Sequence, residues 1–123
     1  MPTGSCNCGA VKVTVADSAF PKESVLCRDF TVNLVIPTKE IEIQGEGNVK
    51  VYEDGNTDSG HTAVRKFCAT CGSAILTGVK EAPDNSYVKG GLFSIGTVPG
   101  PKMEIFKKNF EQWENGHEGA HVA

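Results

Sequence analysis

The amino-acid sequence predicts one all-β domain that spans residues 1–123. Three observations favour this fold class. The length of 123 residues suits a single domain. Apolar residues recur mostly with a period of two, and no stretch keeps a helical period over three turns. Gly, Pro and Asn end nearly every apolar segment, as turns between short strands do. Hydrophobic residues make up 39% of the chain, which excludes disorder of the whole chain.

The alternating segments predict seven or eight short strands. Val11, Val13 and Val15 alternate with polar residues and give the first of them. The remaining segments are 32–37, 41–45, 49–54, 64–68, 74–79, 87–93 and 103–106. Residues 107–115 are predicted to form no more than about one helical turn.

The charge balance and the apolar runs exclude several function classes. Asp and Glu outnumber Lys and Arg by 15 to 12, and this net charge of −3 argues against a nucleic-acid partner. No apolar run has the length of a membrane span. The first residues carry neither the basic nor the apolar part of a secretory signal. We therefore expect a cytoplasmic protein with a small-molecule ligand, and we expect its thiols to stay reduced.

Five cysteines form a pattern that is typical of a metal site. Cys6 and Cys8 form a Cys-x-Cys pair, and Cys68 and Cys71 form a Cys-x-x-Cys pair followed by a glycine. Two such pairs supply the four thiolates of a closed, structural zinc site. The alternative is four buried free cysteines, which would make the paired spacing accidental. The sequence thus predicts one structural Zn²⁺ that ties the start of the chain to its middle.

Two segments resemble the signatures of a known family. Residues 4–11 read GSCNCGAV and residues 65–73 read RKFCATCGS. Both resemble the glutathione-dependent formaldehyde-activating enzyme family, which includes centromere protein V, and the size is similar to that of short fungal members. The resemblance implies a β-tent fold of stacked antiparallel sheets, the carbon–sulfur lyase class, and a structural zinc on the same four cysteines.

The chain departs from this family at the expected catalytic zinc. Members carry a second cluster, Cys-x-Cys-x-x-Cys, where residues 25–30 here read VLCRDF. Cys27 alone remains, because Val25 and Phe30 replace the other two cysteines. A catalytic zinc needs about three protein ligands and an open position, so the sequence predicts that this zinc is lost. Rescue by His61 or Asp29 is the alternative.

The candidate catalytic residues are Cys27, Arg65 and His61. The guanidinium of a neighbouring arginine can lower the pKa of the Cys27 thiol, whereas a small buried hydrophobic residue is the alternative. Arg65 could clamp a substrate carboxylate, or it could form a structural ion pair with Asp29 or Glu53. His61 could transfer protons near neutral pH, or it could be a solvated turn residue.

The candidate substrate-binding residues line the predicted remnant of the catalytic site. Val25 and Phe30 would form apolar walls, and Arg28 or Arg65 would meet an anionic or carbonyl group of the ligand. At 117–121 the chain reads HEGAH, which matches the H-E-x-x-H string of zinc proteases. We reject a protease site, because Gly116 and Gly119 oppose the helix that the motif needs.

Three functions compete on this sequence. The first is a metal-independent lyase or isomerase of a small organic molecule, as in secondary metabolism, with structural zinc. The second is a zinc-stabilised pseudoenzyme or binding module. The third is a lyase that forms glutathione adducts on an unusual second zinc. The oligomeric state is not predicted.

Overall fold

The structure is a computed structural model that describes residues 1–27, 31–57, 59–105, 113 and 120–122. The strands within these residues are β1 (Thr3–Ser5), β2 (Lys12–Val15), β3 (Ser24–Cys27), β4 (Thr31–Pro37), β5 (Ile41–Gln44), β6 (Val49–Asp54), β7 (Ala63–Cys68), β8 (Ala74–Val79), β9 (Ala82–Lys89), β10 (Pro101–Ile105) and β11 (His121–Val122). Four short 3₁₀ turns occur in the same residues, at Asp17–Ala19, Thr38–Glu40, Glu46–Asn48 and Gly90–Leu92. This confirms the predicted all-β class. No described helical segment has the length and apolarity of a membrane span.

The strands form two sheets. A three-stranded sheet has the order β1-β2-β5, and an eight-stranded sheet has the order β11-β10-β3-β4-β9-β8-β7-β6. Most neighbours are antiparallel, as predicted. Strand β10 differs, because it pairs in parallel with both β3 and β11. A parallel pairing joins strands that are distant in sequence, so local alternation does not reveal it.

Four elements differ from the sequence prediction. Strands β1, β3 and β11 were not predicted, because they have only two to four residues and the buried positions of β1 and β3, Gly4 and Ser24, carry no apolar side chain. Gly4 in β1 leaves space for Leu92, whose Cβ would lie 2.9 Å from an added Cβ. In β3 the buried Ser24 donates its hydroxyl to the Pro99 carbonyl at 2.9 Å. The strand predicted at 87–93 begins earlier, at Ala82, and ends at Lys89. The helical turn predicted at 107–115 lies outside the described residues except for Trp113.

The core contains side chains of both sheets. In β2 the predicted alternation is confirmed, since Val13 and Val15 are buried and Lys12 between the apolar positions is exposed. Leu34 and Ile36 of β4 are fully buried in the same cluster. Each such side chain contributes roughly 1.5–3 kcal/mol when it is removed from water. The small sheet and the large sheet are therefore joined by apolar packing next to the loop that follows β1.

A close backbone contact also positions that loop. Gly45 follows β5 with φ 85°, and a Cβ at this residue would lie 2.0 Å from the Ala10 carbonyl oxygen. No side chain fits there, and the left-handed conformation itself favours glycine. The turn after β5 thus packs directly on the loop between Cys6 and Val11.

Candidate metal centre and adjoining pocket

The four cysteines of the two predicted pairs lie together. Their Sγ atoms are all within 4.8 Å of one another. The Sγ atoms of Cys6 and Cys8 are 3.6 Å apart, and those of Cys8 and Cys68 are 3.7 Å apart. Four sulfurs at ~2.3 Å from a tetrahedral zinc would be about 3.8 Å apart. The donor set of Cys6, Cys8, Cys68 and Cys71 could therefore hold a metal ion, and its spacing fits zinc.

Two tight loops bring these thiols together. Cys6 and Cys8 lie in the loop after β1, which closes through a hydrogen bond from the Cys6 N–H to the Val11 carbonyl at 3.0 Å. Cys68 ends β7, and the turn to β8 closes through the Gly72 N–H, which donates to the Cys68 carbonyl at 2.9 Å. Gly72 has φ 77°, a left-handed conformation that favours the glycine found after the second cysteine pair. The cluster thus links the three-stranded sheet to the eight-stranded sheet.

Hydrogen-bond donors surround the sulfurs. The Val11 N–H donates to the Cys6 Sγ at 3.3 Å, and the Asn48 side-chain amide donates to the Cys68 Sγ at 3.3 Å. Such donors stabilise thiolates and orient metal ligands. Asn48 was missed by the sequence analysis. It lies outside both cysteine motifs and reaches Cys68 because it directly precedes β6, whose first residue, Val49, pairs with Cys68 of β7.

Ser73 connects the two cysteine loops. Its hydroxyl lies 3.1 Å from the Cys71 Sγ and accepts a hydrogen bond from the Asn7 N–H at 3.1 Å. Hydrogen bonds from the Ser73 side chain and backbone, followed by one from the Cys8 backbone, lower the pKa of Cys71 to about 5. This shift favours the thiolate form of Cys71, which is the form that binds a metal.

A cavity of about 840 Å³ adjoins this cluster. Ser5, Cys6 and Asn7 of the first cysteine loop form part of its wall, and Ser73 and Ala74 form another part. The other lining residues are Thr31, Val32, Arg65, Lys66, Phe67, Thr77, Lys89, Gly91 and Leu92. The metal centre and the pocket therefore share a wall.

The pocket lining is rich in positive charge. Arg65, Lys66 and Lys89 are basic, and the described lining includes no Asp or Glu. An Arg65 guanidinium nitrogen lies 3.3 Å from Asp54 Oδ2, and Arg65 is still 49% exposed. Lys89 donates to the Asn33 side-chain oxygen at 2.9 Å. This arrangement can accept an anionic group of a ligand.

Of the remaining predicted site residues that the structure describes, one adjoins a lining residue of this pocket and two are outside the described lining. Cys27 ends β3 opposite Thr31, which lines the pocket. Val25 is half-buried on β3 and is outside the described lining. His61 lies in the turn before β7, with Nδ1 3.8 Å from a Glu81 oxygen, and is also outside that lining.

Two other predicted site residues, Arg28 and Phe30, lie outside the described residues, as does Asp29. Of the two acids predicted to pair with Arg65, Glu53 is described and is not its partner; the ion pair forms with Asp54 instead.

Comparisons with known proteins agree with this architecture. Among curated proteins, none matches the chain. A crystal structure of a Rhodobacter sphaeroides protein is similar over 80% of this chain and 98% of that one, with a TM-score of 0.59 and 20% identity. This likeness shows the fold. The sequence profile of the glutathione-dependent formaldehyde-activating enzymes matches residues 1–109. The chain therefore belongs to the glutathione-dependent formaldehyde-activating enzyme family.

Proposed function

We propose that this chain is a lyase or isomerase of a small organic anion, as in secondary metabolism, and that it carries one structural zinc. The observation that supports this most directly is the cavity beside the cysteine cluster, which is lined by three basic residues and by no acidic residue of the described chain. Membership of a family of enzymes supports an enzyme-like domain.

The positions of the basic residues support an anionic ligand. Arg65 lies opposite Thr77, and Thr77 lies opposite Tyr87, two residues before Lys89. Residues related in this way project from one face of the sheet. The usual strand spacings put the Cα atoms of Arg65 and Lys89 about 12 Å apart. Two long cationic side chains at this separation can contact two polar groups of one small ligand.

The cysteine cluster supports a structural role for the metal. Four thiolates complete a tetrahedral shell, so a bound zinc would have no open position for substrate or water. When bound, the ion supplies a cross-link between the two cysteine loops. Those loops form the wall of the pocket at Cys6 and Ser73. The metal would thus act on the ligand only through the position of this wall.

The proposed chemistry depends on proton transfer beside an anionic or carbonyl group. The Arg65 guanidinium would hold that group and stabilise the charge that develops on it. Cys27, whose backbone partner Thr31 lines the pocket, is the proposed acid or base. Val25, Arg28 and Phe30 stay predicted substrate contacts. His61 stays a predicted second acid or base. Its Nδ1 lies 3.8 Å from a Glu81 oxygen, and it is outside the described lining of the pocket.

A second candidate function is favoured by the family match over residues 1–109. In this function the chain would carry out a glutathione-dependent reaction of formaldehyde on a second zinc near Cys27. The two candidates differ in metal content, because the lyase or isomerase needs one zinc per chain and the second candidate needs two.

Metal analysis of the purified protein tests the difference. We expect about one zinc per chain for the wild type. We expect the double variant Val25→Cys, Phe30→Cys to bind a second zinc, because it restores the three-cysteine set of the family. The same variant should lose affinity for a carboxylate probe such as succinate, since a hydrated ion would occupy part of the ligand volume. A wild-type ratio near two would overturn the structural-zinc assignment. A second zinc with unchanged succinate binding would place the ligand site away from Val25 and Phe30.

A variant of Cys27 distinguishes an enzyme from a protein that only binds its ligand. We expect NMR screening of organic acids to find one that the wild type converts. The variant Cys27→Ala should bind that compound with unchanged affinity and should convert it at least about 100-fold more slowly, the usual contribution of a positioned acid or base. Binding without conversion across the screen would favour a pseudoenzyme or binding module. Unchanged conversion by Cys27→Ala would exclude the thiol from the chemistry.

A further inference from the structure

The outer strand of the large sheet is exposed and apolar at its centre. β6 ends the eight-stranded sheet in the described part of the chain, and it has six residues. Val51 is 56% exposed and Tyr52 is 57% exposed. A strand of this length at a sheet edge presents backbone donors and acceptors to any strand that can pair with it.

The contacts at both ends of the β6–β7 hairpin show which groups face outward. The Ala69 N–H donates to the Asn48 carbonyl at 2.7 Å, so that carbonyl points towards β7. In a trans peptide the N–H of the next residue, Val49, then points away from β7. At the other end, the Lys80 N–H donates to the Thr62 carbonyl at 2.9 Å on the β8 side of β7, so the Ala63 N–H points towards β6.

Backbone groups alternate in direction along a strand. Both ends therefore give the same assignment: the even-numbered residues of β6 pair with β7. The N–H and C=O groups of Val49, Val51 and Glu53 face outward. These are the groups that an added strand would bond.

The side-chain sequence of β6 is complementary to itself in one register. A two-fold axis perpendicular to the sheet keeps each side chain on the same face in both copies. Directly opposite residues of an antiparallel pair share a face, so each symmetric register is centred on one residue that lies opposite its own copy. In the register centred on Tyr52, Val51 pairs with Glu53 of the second copy through outward groups. Lys50 then lies opposite Asp54 of the second copy, a carboxylate that also pairs with Arg65 of its own chain, and the symmetry-related contact forms as well.

The neighbouring registers lack this complementarity. A register centred on Val51 places Lys50 opposite Tyr52. Registers centred on Lys50 or Glu53 place like charges opposite each other, which is unfavourable. In the described part of the chain Lys50 is exposed and forms no ion pair, so its charge is available to a second copy.

We propose that β6 pairs antiparallel with β6 of a second copy of this chain, in the register centred on Tyr52, to form a homodimer with one continuous sheet. The occupant is a second copy because the charge pattern of β6 complements β6 itself. Arg65 lies opposite Tyr52 in β7. The pockets of the two copies would therefore open on the same face of the joined sheet.

Charge exchange at the interface tests the register. We expect sedimentation equilibrium of the wild type to show a reversible dimer. Lys50→Glu replaces two attractions by two repulsions and should weaken the dimer by about tenfold or more. The double variant Lys50→Glu, Asp54→Lys exchanges the charges and should restore it. Lys12→Glu, an exposed residue of β2, is the control and should leave the dimer unchanged. A wild type that stays monomeric, or a dimer that Lys50→Glu does not weaken, would overturn the proposal.

A backbone variant tests the edge independently of charge. The Val51 N–H faces outward, so Val51→Pro removes no hydrogen bond to β7. We expect this variant to stay folded with its metal content unchanged and to be monomeric. In the wild type, amide exchange at Val51 and Glu53 should become slower as protein concentration rises. Fast exchange at both amides at every concentration would exclude pairing along this edge.

Discussion

Replacement of Cys71 by serine is expected to unfold the domain or to leave it insoluble. A structural zinc site contributes ~10–16 kcal/mol of apparent binding free energy, which is as large as the whole net stability of ~5–15 kcal/mol of a typical domain. In this chain the Cys71 Sγ lies within 4.8 Å of the other three sulfurs. Its loss would leave a bound zinc with three protein ligands and would weaken the cross-link between the β7–β8 turn and the loop after β1. The measurements are soluble yield, zinc content and thermal unfolding.

Cys27→Ser is the matched control for this variant, because it also removes one thiol. We expect it to fold, to melt cooperatively and to keep one zinc per chain, since Cys27 is outside the proposed ligand set. A Cys71→Ser protein that is soluble and melts cooperatively at the wild-type temperature would contradict the structural role of the cluster. Loss of zinc from Cys27→Ser would contradict the ligand assignment.

Replacement of the pocket cations is expected to abolish most anion binding without loss of the fold. Arg65→Met and Lys89→Met each remove a positive charge from the cavity lining and keep a long side chain. A hydrogen bond to a charged group contributes about 1.5–3 kcal/mol, so affinity for a carboxylate such as succinate or citrate should fall roughly 10- to 100-fold. Calorimetric titration gives the affinity, and thermal unfolding shows whether the fold is intact.

Two further variants make this result specific. Lys102→Met is the charge-matched control. Lys102 is 73% exposed and pairs with Glu23. It belongs to β10, which lies near the opposite end of the large sheet from β7, the strand that carries Arg65. This variant should bind the probe like the wild type. Asp54→Asn removes the carboxylate that competes for Arg65, so it should tighten binding by roughly twofold to fivefold. Equal weakening by Lys102→Met would mean that overall charge, and not this pocket, attracts the anion.

Local patterns in the chain were sufficient to predict the fold class and the cysteine cluster. Val13 and Val15 alternate with polar residues because successive side chains of a strand point to opposite faces. This alternation is visible in a few adjacent residues of the sequence. The close pairs that end at Cys8 and Cys71 each form a loop whose geometry is local. For that reason the spacing predicted the four thiols that lie together.

The tertiary structure alone decided the pocket and the partners of its residues. Arg65 and Lys89 are 24 positions apart in the sequence, and the strand order of the large sheet brings both to one cavity. Asn48 reaches the Cys68 sulfur because it precedes β6, and β6 pairs with β7 so that Val49 lies opposite Cys68. Contacts of this kind depend on strand order and on the packing of one loop against another. A short window of sequence contains neither, so its periodicity could predict the strands and the thiol pairs but could not predict which side chains would meet.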